Sequence, residues 1–265
     1  MQTETVVITG ASSGIGEELA KNFAKGGYDL VLVARSEDKL KALARGLKRD
    51  TKAKVWVELA DLSRRGAAKK LATNLNRQGI EVDVLVNCAG VLEHGSFVNL
   101  PASSQQGLID LNVSGLTNML SHFLPPMVAR GKGRILNVAS IAAFQPVPGL
   151  ATYAATKAYV LSLTESLAEE LSGTGVSVTA LCPGVTATNM VAAAQQNSGG
   201  LNLPSFIIGE VEQVAAQGYR ACLKGEVICV PGTVNLAATI VGRATPKWLL
   251  RRISGVMGRY TLDRD

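Results

Sequence analysis

Tyr153 and Lys157 stand four residues apart, which puts a phenol and an ammonium one helical turn apart on one face. A nearby cation favours the ionised phenol, so such a pair can exchange a proton with a substrate oxygen near neutral pH. Ser140 closes an apolar run 13 residues before Tyr153, and Asn87, Ala89 and Gly90 close another. A third cluster, Thr9-Gly10-Ala11-Ser12-Ser13-Gly14-Ile15-Gly16, lies between an apolar run and an amphipathic stretch. Its glycines let the backbone turn sharply and approach an anion at a helix N-terminus, where free N–H groups and the helix dipole favour negative charge. A tight turn without a ligand would use the same glycines. The second apolar run ends Val33-Ala34-Arg35-Ser36. An acidic residue at such a strand end would bind a ribose 2′-hydroxyl. Ala34 cannot, whereas the guanidinium of Arg35 suits a 2′-phosphate. NADP(H) is therefore expected over NAD, with a merely solvated Arg35 as the alternative.

These groups need elements to place them. Strand-like runs cover Thr5–Thr9, Leu30–Val33, Lys54–Glu58, Val84–Asn87, Ile135–Ala139, Val176–Leu181 and Val227–Val230. Helical patterns fall between them at Gly14–Lys25, Glu37–Lys48, Ala67–Asn76 and Tyr153–Leu171. Continuous apolar strands alternating with helices predict an α/β fold. The expected form is a Rossmann-type, doubly wound parallel sheet of about seven strands with helices on both faces. Nothing divides the chain, so residues 1–265 are expected to form a single domain.

Composition narrows the function classes. Of the 265 residues 47% are hydrophobic and only 18% charged, which excludes intrinsic disorder. No apolar stretch reaches membrane-spanning length, and Met1-Gln2-Thr3-Glu4 lacks a signal peptide's basic region, so a cytoplasmic protein is expected. Cys88, Cys182, Cys222 and Cys229 are widely spaced, and with two histidines a metal cluster is not expected. His94 reads as a surface-loop residue or a neighbour of the substrate. The net charge is +6, but residues 235–265 hold six basic and two acidic side chains, a net of +4. The remainder is nearly neutral, which argues against nucleic-acid binding.

Taken together, these residues resemble the short-chain dehydrogenase/reductase family over about residues 4–232. Thr9, Gly10, Gly14, Ile15 and Gly16 match its T-G-x-x-x-G-I-G cofactor motif, with Ser12 and Ser13 inside it. Asp61, beside Leu62, matches the aspartate that contacts the adenine ring. Asn87-Cys88-Ala89-Gly90 matches N-N-A-G except at Cys88, in a motif that mainly stabilises the central sheet. Asn112, Ser140, Tyr153 and Lys157 match the catalytic tetrad. Pro183, Gly184, Thr186 and Thr188 fall in the P-G-x-x-x-T segment, whose threonine meets the nicotinamide carboxamide.

The resemblance implies hydride transfer between NADP(H) and a carbonyl or secondary alcohol. Ser140 would hold the substrate oxygen and Tyr153 exchange its proton. Lys157 would lower the Tyr153 pKa and bind the nicotinamide ribose. Asn112 would kink its helix and hold a water leading to Lys157. The segment after Pro183-Gly184 closes over substrate in this family, which places a lid at 188–209. Leu171 to Gly209 is 39 residues without a charged side chain. That favours a neutral, largely apolar substrate, though the composition also suits simple flexibility. A non-catalytic NADP(H)-binding sensor or scaffold is the alternative function, disfavoured because the whole tetrad is retained. The Arg35 strand end and the basic C-terminus look closer to hydroxysteroid and long-chain 3-ketoacyl reductases than to acyl-carrier-protein reductases. A homodimer or homotetramer on the Asn112 and Tyr153 helices is implied. Beyond Pro246, Leu249, Leu250, Ile253, Val256, Met257 and Tyr260 share one helical face, with basic residues largely elsewhere. Residues 243–260 could pack on the protein, on another subunit, or peripherally on an anionic membrane.

Overall fold

The computed structural model describes residues 3–186, 209–246, 248 and 252. Seven strands, β1 (Thr5–Thr9), β2 (Asp29–Ala34), β3 (Val55–Leu59), β4 (Val84–Asn87), β5 (Gly133–Val138), β6 (Val176–Leu181) and β7 (Ile228–Cys229), form one sheet. Its order is β3-β2-β1-β4-β5-β6-β7 and every pairing is parallel. The helices are α1 (Gly14–Lys25), α2 (Glu37–Asp50), α3 (Ala67–Arg77), α4 (Ala102–Ile109), α5 (Leu116–Arg130), α6 (Ala151–Glu170), α7 (Val211–Lys224) and α8 (Thr233–Ala244). A π-turn, Asp110–Gly115, joins α4 to α5, and a 3₁₀ turn spans Ile141–Phe144.

Alternate strand residues face opposite layers. Val6, Ile8, Leu30, Leu32, Leu136 and Val138 pack on one face with Leu19 and Phe23 of α1, Leu40 of α2 and Ala215 of α7. Val7, Val31, Leu85 and Ile135 pack on the other with Leu71 of α3, Met119 and Phe123 of α5, and Val160 of α6. Both faces being covered explains why these strands read as unbroken apolar runs. The connections from β1 to β2 and from β4 to β5 leave in opposite directions, so a crevice opens at the strand ends between β1 and β4.

The stretch from Ala102 to Arg130 is helical although no sequence pattern delimits it. Pro125 and Pro126 lie inside α5, where they remove two backbone donors. Burial of Met119, Leu120, Phe123 and Met127 holds the helix together across them. A buried polar chain also crosses the core. The Asn87 Nδ2 donates to Asn137 Oδ1 (2.9 Å), and Asn137 Nδ2 donates to Thr164 Oγ1 of α6 (3.0 Å).

Candidate active site

The crevice encloses about 590 Å³, in the range of a bound small molecule or cofactor. Its floor is the turn after β1. Gly10 and Gly14 adopt φ of +68° and +57°, which side-chain-bearing residues avoid. A Cβ on Gly16 would sit 2.3 Å from the Gly10 carbonyl oxygen, and one on Gly10 would sit 2.9 Å from Ala89 Cα. Ser13 caps α1 in extended conformation without using its side chain, so the first-turn N–H groups stay available. Ser12, Ser13, Gly14, Ile15 and Gly16 all line the crevice. This is a cradle for an anionic pyrophosphate.

Thr9 does not line the crevice. Its hydroxyl donates to the Val86 carbonyl (3.2 Å) and accepts from the Cys88 and Ala89 N–H groups (both 3.0 Å). It therefore fastens the β1 turn to the loop after β4, which brings Ala89 and Gly90 to the crevice wall. Asn87 is likewise buried away from the crevice, in the polar chain described above.

One end of the crevice is bordered by Ala34, Arg35, Ser36, Asp61 and Leu62. The Asp61 carboxylate accepts hydrogen bonds from Ser63 Oγ (2.6 Å) and N (3.2 Å) and from Arg64 Nε (3.4 Å), which hold its pKa below the ordinary value. Lys39 joins this border and was missed in the sequence. Its signal was present, since it follows Arg35 by four residues at the start of α2.

At the other end the reactive groups gather. Ser140 ends the strand-like run after β5, Tyr153 and Lys157 sit on the inner face of α6, and all three line the crevice. The Ser140 Oγ accepts from the Ala142 N–H (3.1 Å). Burial pushes the phenol up to about 12, with the Ser140 hydroxyl pulling the other way. Lys157 is not among the groups that lower it. Its Nζ lies 5.7 Å from the Tyr153 ring centroid and donates to the Val138 carbonyl (2.8 Å). Burial brings the ammonium down to about 8, opposed by the neighbouring Cys88 and Cys182 sulfurs. The expectation of a phenol ionising near neutral pH is thus corrected: burial holds Tyr153 in its protonated form. Desolvation is the largest influence on each group and disfavours the charged form of both.

Asn112 lies in the π-turn, matching the expected helix kink. Its Oδ1 accepts from the Val91 N–H (2.9 Å), while Nδ2 donates to the Val91 carbonyl (2.9 Å) and to Thr156 Oγ1 (3.2 Å). It does not line the crevice but ties the β4 loop to α6. Pro183, Gly184 and Thr186 do line it. Thr188 and the expected lid, apart from Gly209, lie outside the described residues. Beyond Tyr153 the wall is Val91, Leu92, Ile141, Ala142, Val147 and Leu150, with Gln145 the polar exception. His94 is not part of the wall. Among the described residues, no group of three His, Cys, Asp or Glu side chains could hold a metal ion.

Residues 4–199 match the family model for short chain dehydrogenases. The chain belongs to the short-chain dehydrogenase/reductase family. One relative is the very-long-chain 3-oxoacyl-CoA reductase of Rattus norvegicus, 31% identical over 251 residues, covering 93% of this chain and 77% of the relative. Among solved structures, a short-chain dehydrogenase from Sphingobium yanoikuyae in complex with NADPH is 35% identical, with a TM-score of 0.81 over 91% of this chain and 94% of that one. The bulky-bulky ketone specific alcohol dehydrogenase of Comamonas testosteroni is 30% identical, with a TM-score of 0.78 over 92% and 93% of the two chains. Similar solved members of the family include complexes with NADPH and with NAD, so a nicotinamide nucleotide is the cofactor class. The relatives named by activity are oxidoreductases, which leaves the non-catalytic alternative without support.

Proposed function

We propose that this short-chain dehydrogenase/reductase transfers a hydride between NADP(H) and a neutral, largely apolar ketone or secondary alcohol. The observation that carries the reading is the convergence of Ser140, Tyr153 and Lys157 on one end of a glycine-floored crevice. The residues fit the nucleotide. The open α1 N-terminus would hold the pyrophosphate, and Arg35 with Lys39 would pair with a 2′-phosphate, for which Ala34 offers no carboxylate competitor. Asp61, Ala89 and Gly90 would border the adenosine and riboses, and Thr186 the carboxamide. When bound, the nicotinamide supplies or accepts the hydride.

The chain's own residues handle the oxygen. Ser140, oriented by the Ala142 N–H, donates to the substrate oxygen as negative charge grows on it. Tyr153 gives that oxygen its proton in reduction and takes one back in oxidation. A phenol held up to about 12 is protonated at neutral pH, the form reduction requires. Lys157 would hold the nicotinamide ribose, and Asn112 keeps α6 and the β4 loop in register around it.

The apolar substrate end favours a ketone without charge near the reacting carbon, since a buried anion there would lack a cationic partner among the described wall residues apart from Lys157. Of the expected lid at 188–209, Gly209 donates its N–H to the Val185 carbonyl (2.8 Å) and bridges to Thr186. A homo-oligomer on the α5 and α6 side fits the exposed Val128 of α5 and Tyr159 of α6.

The test is NADPH oxidation across ketones from small and polar to long-chain and polycyclic, with Tyr153→Phe as the comparison. Turnover is expected to rise with apolar size and to fall by roughly 10²–10⁴-fold in the variant, with NADPH affinity little changed. Turnover in the variant within a few-fold of the natural chain refutes the role of Tyr153, and preference for small charged keto acids refutes the apolar substrate.

A further inference from the structure

The near-neutral charge of residues 1–234 conceals a division. Residues 35–77 hold thirteen basic and five acidic side chains, a net of +8, while the rest of that stretch is net −6. The fold gathers this excess at one edge of the sheet. There β3 is the outermost strand, α2 leads into it and α3 follows it. Three of the thirteen cations pair with a carboxylate: Lys41 with Glu37, Arg49 with Asp50 and Arg64 with Asp61. The other ten have no ion pair among the described residues.

One end of this edge is the nucleotide end of the crevice. The last residues of β2 and β3 lie side by side, Ala34 against Leu59, and the Ala60 N–H donates to the Ala34 carbonyl (3.1 Å). Both α2 and α3 begin just past these strand ends. Arg35 and Lys39 therefore flank the crevice border from one side, and Arg64, Arg65, Lys69 and Lys70 follow the lining residue Leu62 on the other. The acids at this end are Glu37, Asp38 and Asp61, and two of them are already paired. Arg35 and Lys39 line the crevice, whereas Arg64, Arg65, Lys69 and Lys70 stand outside its lining and are exposed.

The placement in α3 runs against the needs of the helix. A helix N-terminus is the positive end of its dipole and favours acids in the first turn. The first turn of α3 has none, and its cap, Gly66, supplies no side-chain bond. Lys69 and Lys70 stand instead among its first four residues. Helix stability would select the opposite charge, which points to a role outside the helix. A cleft surrounded by one sign of charge raises the association rate of an oppositely charged ligand by about 10–10³-fold. A 2′-phosphate adds about two negative charges at neutral pH to those of the pyrophosphate.

We propose that the basic edge at 35–77 is an electrostatic guide that draws NADP(H) to the nucleotide end of the crevice and favours it over NAD(H) in the rate of association. The guide rests on the NADP(H) reading above. It adds to that reading the side chains of Arg65, Lys69 and Lys70, which lie outside the crevice lining.

The test is stopped-flow binding of NADPH and of NADH to the full-length chain, followed by nicotinamide fluorescence, from about 10 to about 500 mM salt. The NADPH association rate is expected to fall at least roughly ten-fold over that range, and the NADH rate by less because it carries fewer charges. Arg65→Gln with Lys69→Gln and Lys70→Gln is expected to slow NADPH association roughly five-fold at the lowest salt and less than about two-fold at the highest, with the dissociation rate unchanged. Lys69→Arg with Lys70→Arg keeps the charge and is expected to keep the natural rate. Association that ignores salt, or that slows equally for both nucleotides, overturns the proposal. So does a triple variant that dissociates faster at an unchanged association rate, since its side chains would then be contacts. The NADP(H) reading fails on a different result, equal equilibrium affinity of the natural chain for the two nucleotides.

Discussion

Asn137→Ala tests how the core holds the catalytic helix. Asn137 is fully buried and bridges β4 to α6 through Asn87 and Thr164. Truncation leaves Asn87 Nδ2 with no acceptor at 3% exposure, and Asn87 Oδ1 already has no hydrogen-bond partner among the described residues. An amide left wholly unpaired in the core costs about 1–3 kcal/mol. Thr164 keeps its own bond to the Val160 carbonyl (2.7 Å) and loses only the incoming one. That lost bond and the small cavity add roughly 1–2 kcal/mol. The expected total is about 2–5 kcal/mol, a large share of the roughly 5–15 kcal/mol that stabilises a typical domain. Asn87→Ala removes the demanding group itself and is expected to cost less. In the double variant neither partner of this bond remains, so the two losses are expected to fall short of additivity by about 1 kcal/mol. Urea unfolding followed by the fluorescence of Trp56 and Trp248 measures all three. A loss below about 0.5 kcal/mol in Asn137→Ala, or strict additivity, refutes the reasoning.

Arg35→Ala and Lys39→Ala are each expected to weaken NADPH binding about ten-fold, the scale of one charge-assisted contact, and to leave NADH binding unchanged; equal losses for both nucleotides in a titration refute the 2′-phosphate role. Gly16→Ala places a methyl group 2.3 Å from the Gly10 carbonyl oxygen. The turn must shift, so calorimetric NADPH affinity is expected to fall at least ten-fold, with a stability loss of about 1–3 kcal/mol. Lys157 titrates at about 8 in the folded chain against 10.5 when unfolded. Between those values the unfolded chain binds the extra proton, so stability contributed by this group rises with pH, by roughly 3 kcal/mol in all. Urea unfolding from pH 7.5 to 10.5 is expected to show this rise relative to Lys157→Met, and a flat or falling difference refutes it.

Much of this site was legible in the chain because its parts are local. The glycine turn, the Tyr153–Lys157 spacing and the apolar runs are set within a few residues by backbone conformation and side-chain type. Strands β1, β4 and β6 accordingly match the runs read from sequence. Local pattern failed where long-range burial prevailed. Pro125 and Pro126 look like a stop, yet α5 continues because its neighbours bury Met119 and Phe123. The resemblance placed Thr9 and Asn87 in nucleotide-binding motifs and Asn112 in the catalytic tetrad, and the tertiary contacts show what their side chains bond: Thr9 and Asn112 fasten the crevice walls and Asn87 ties the sheet to its neighbours. The pKa values could not be read from spacing either. Four residues along a helix bring a phenol and an ammonium together, but how far each is desolvated depends on the sheet, loops and helices that close around them. The sequence by itself determined which groups are present and which helical turn carries them. The folded structure decided which of them reach the crevice and in what protonation state, because burial is a property of the whole packing and not of any segment.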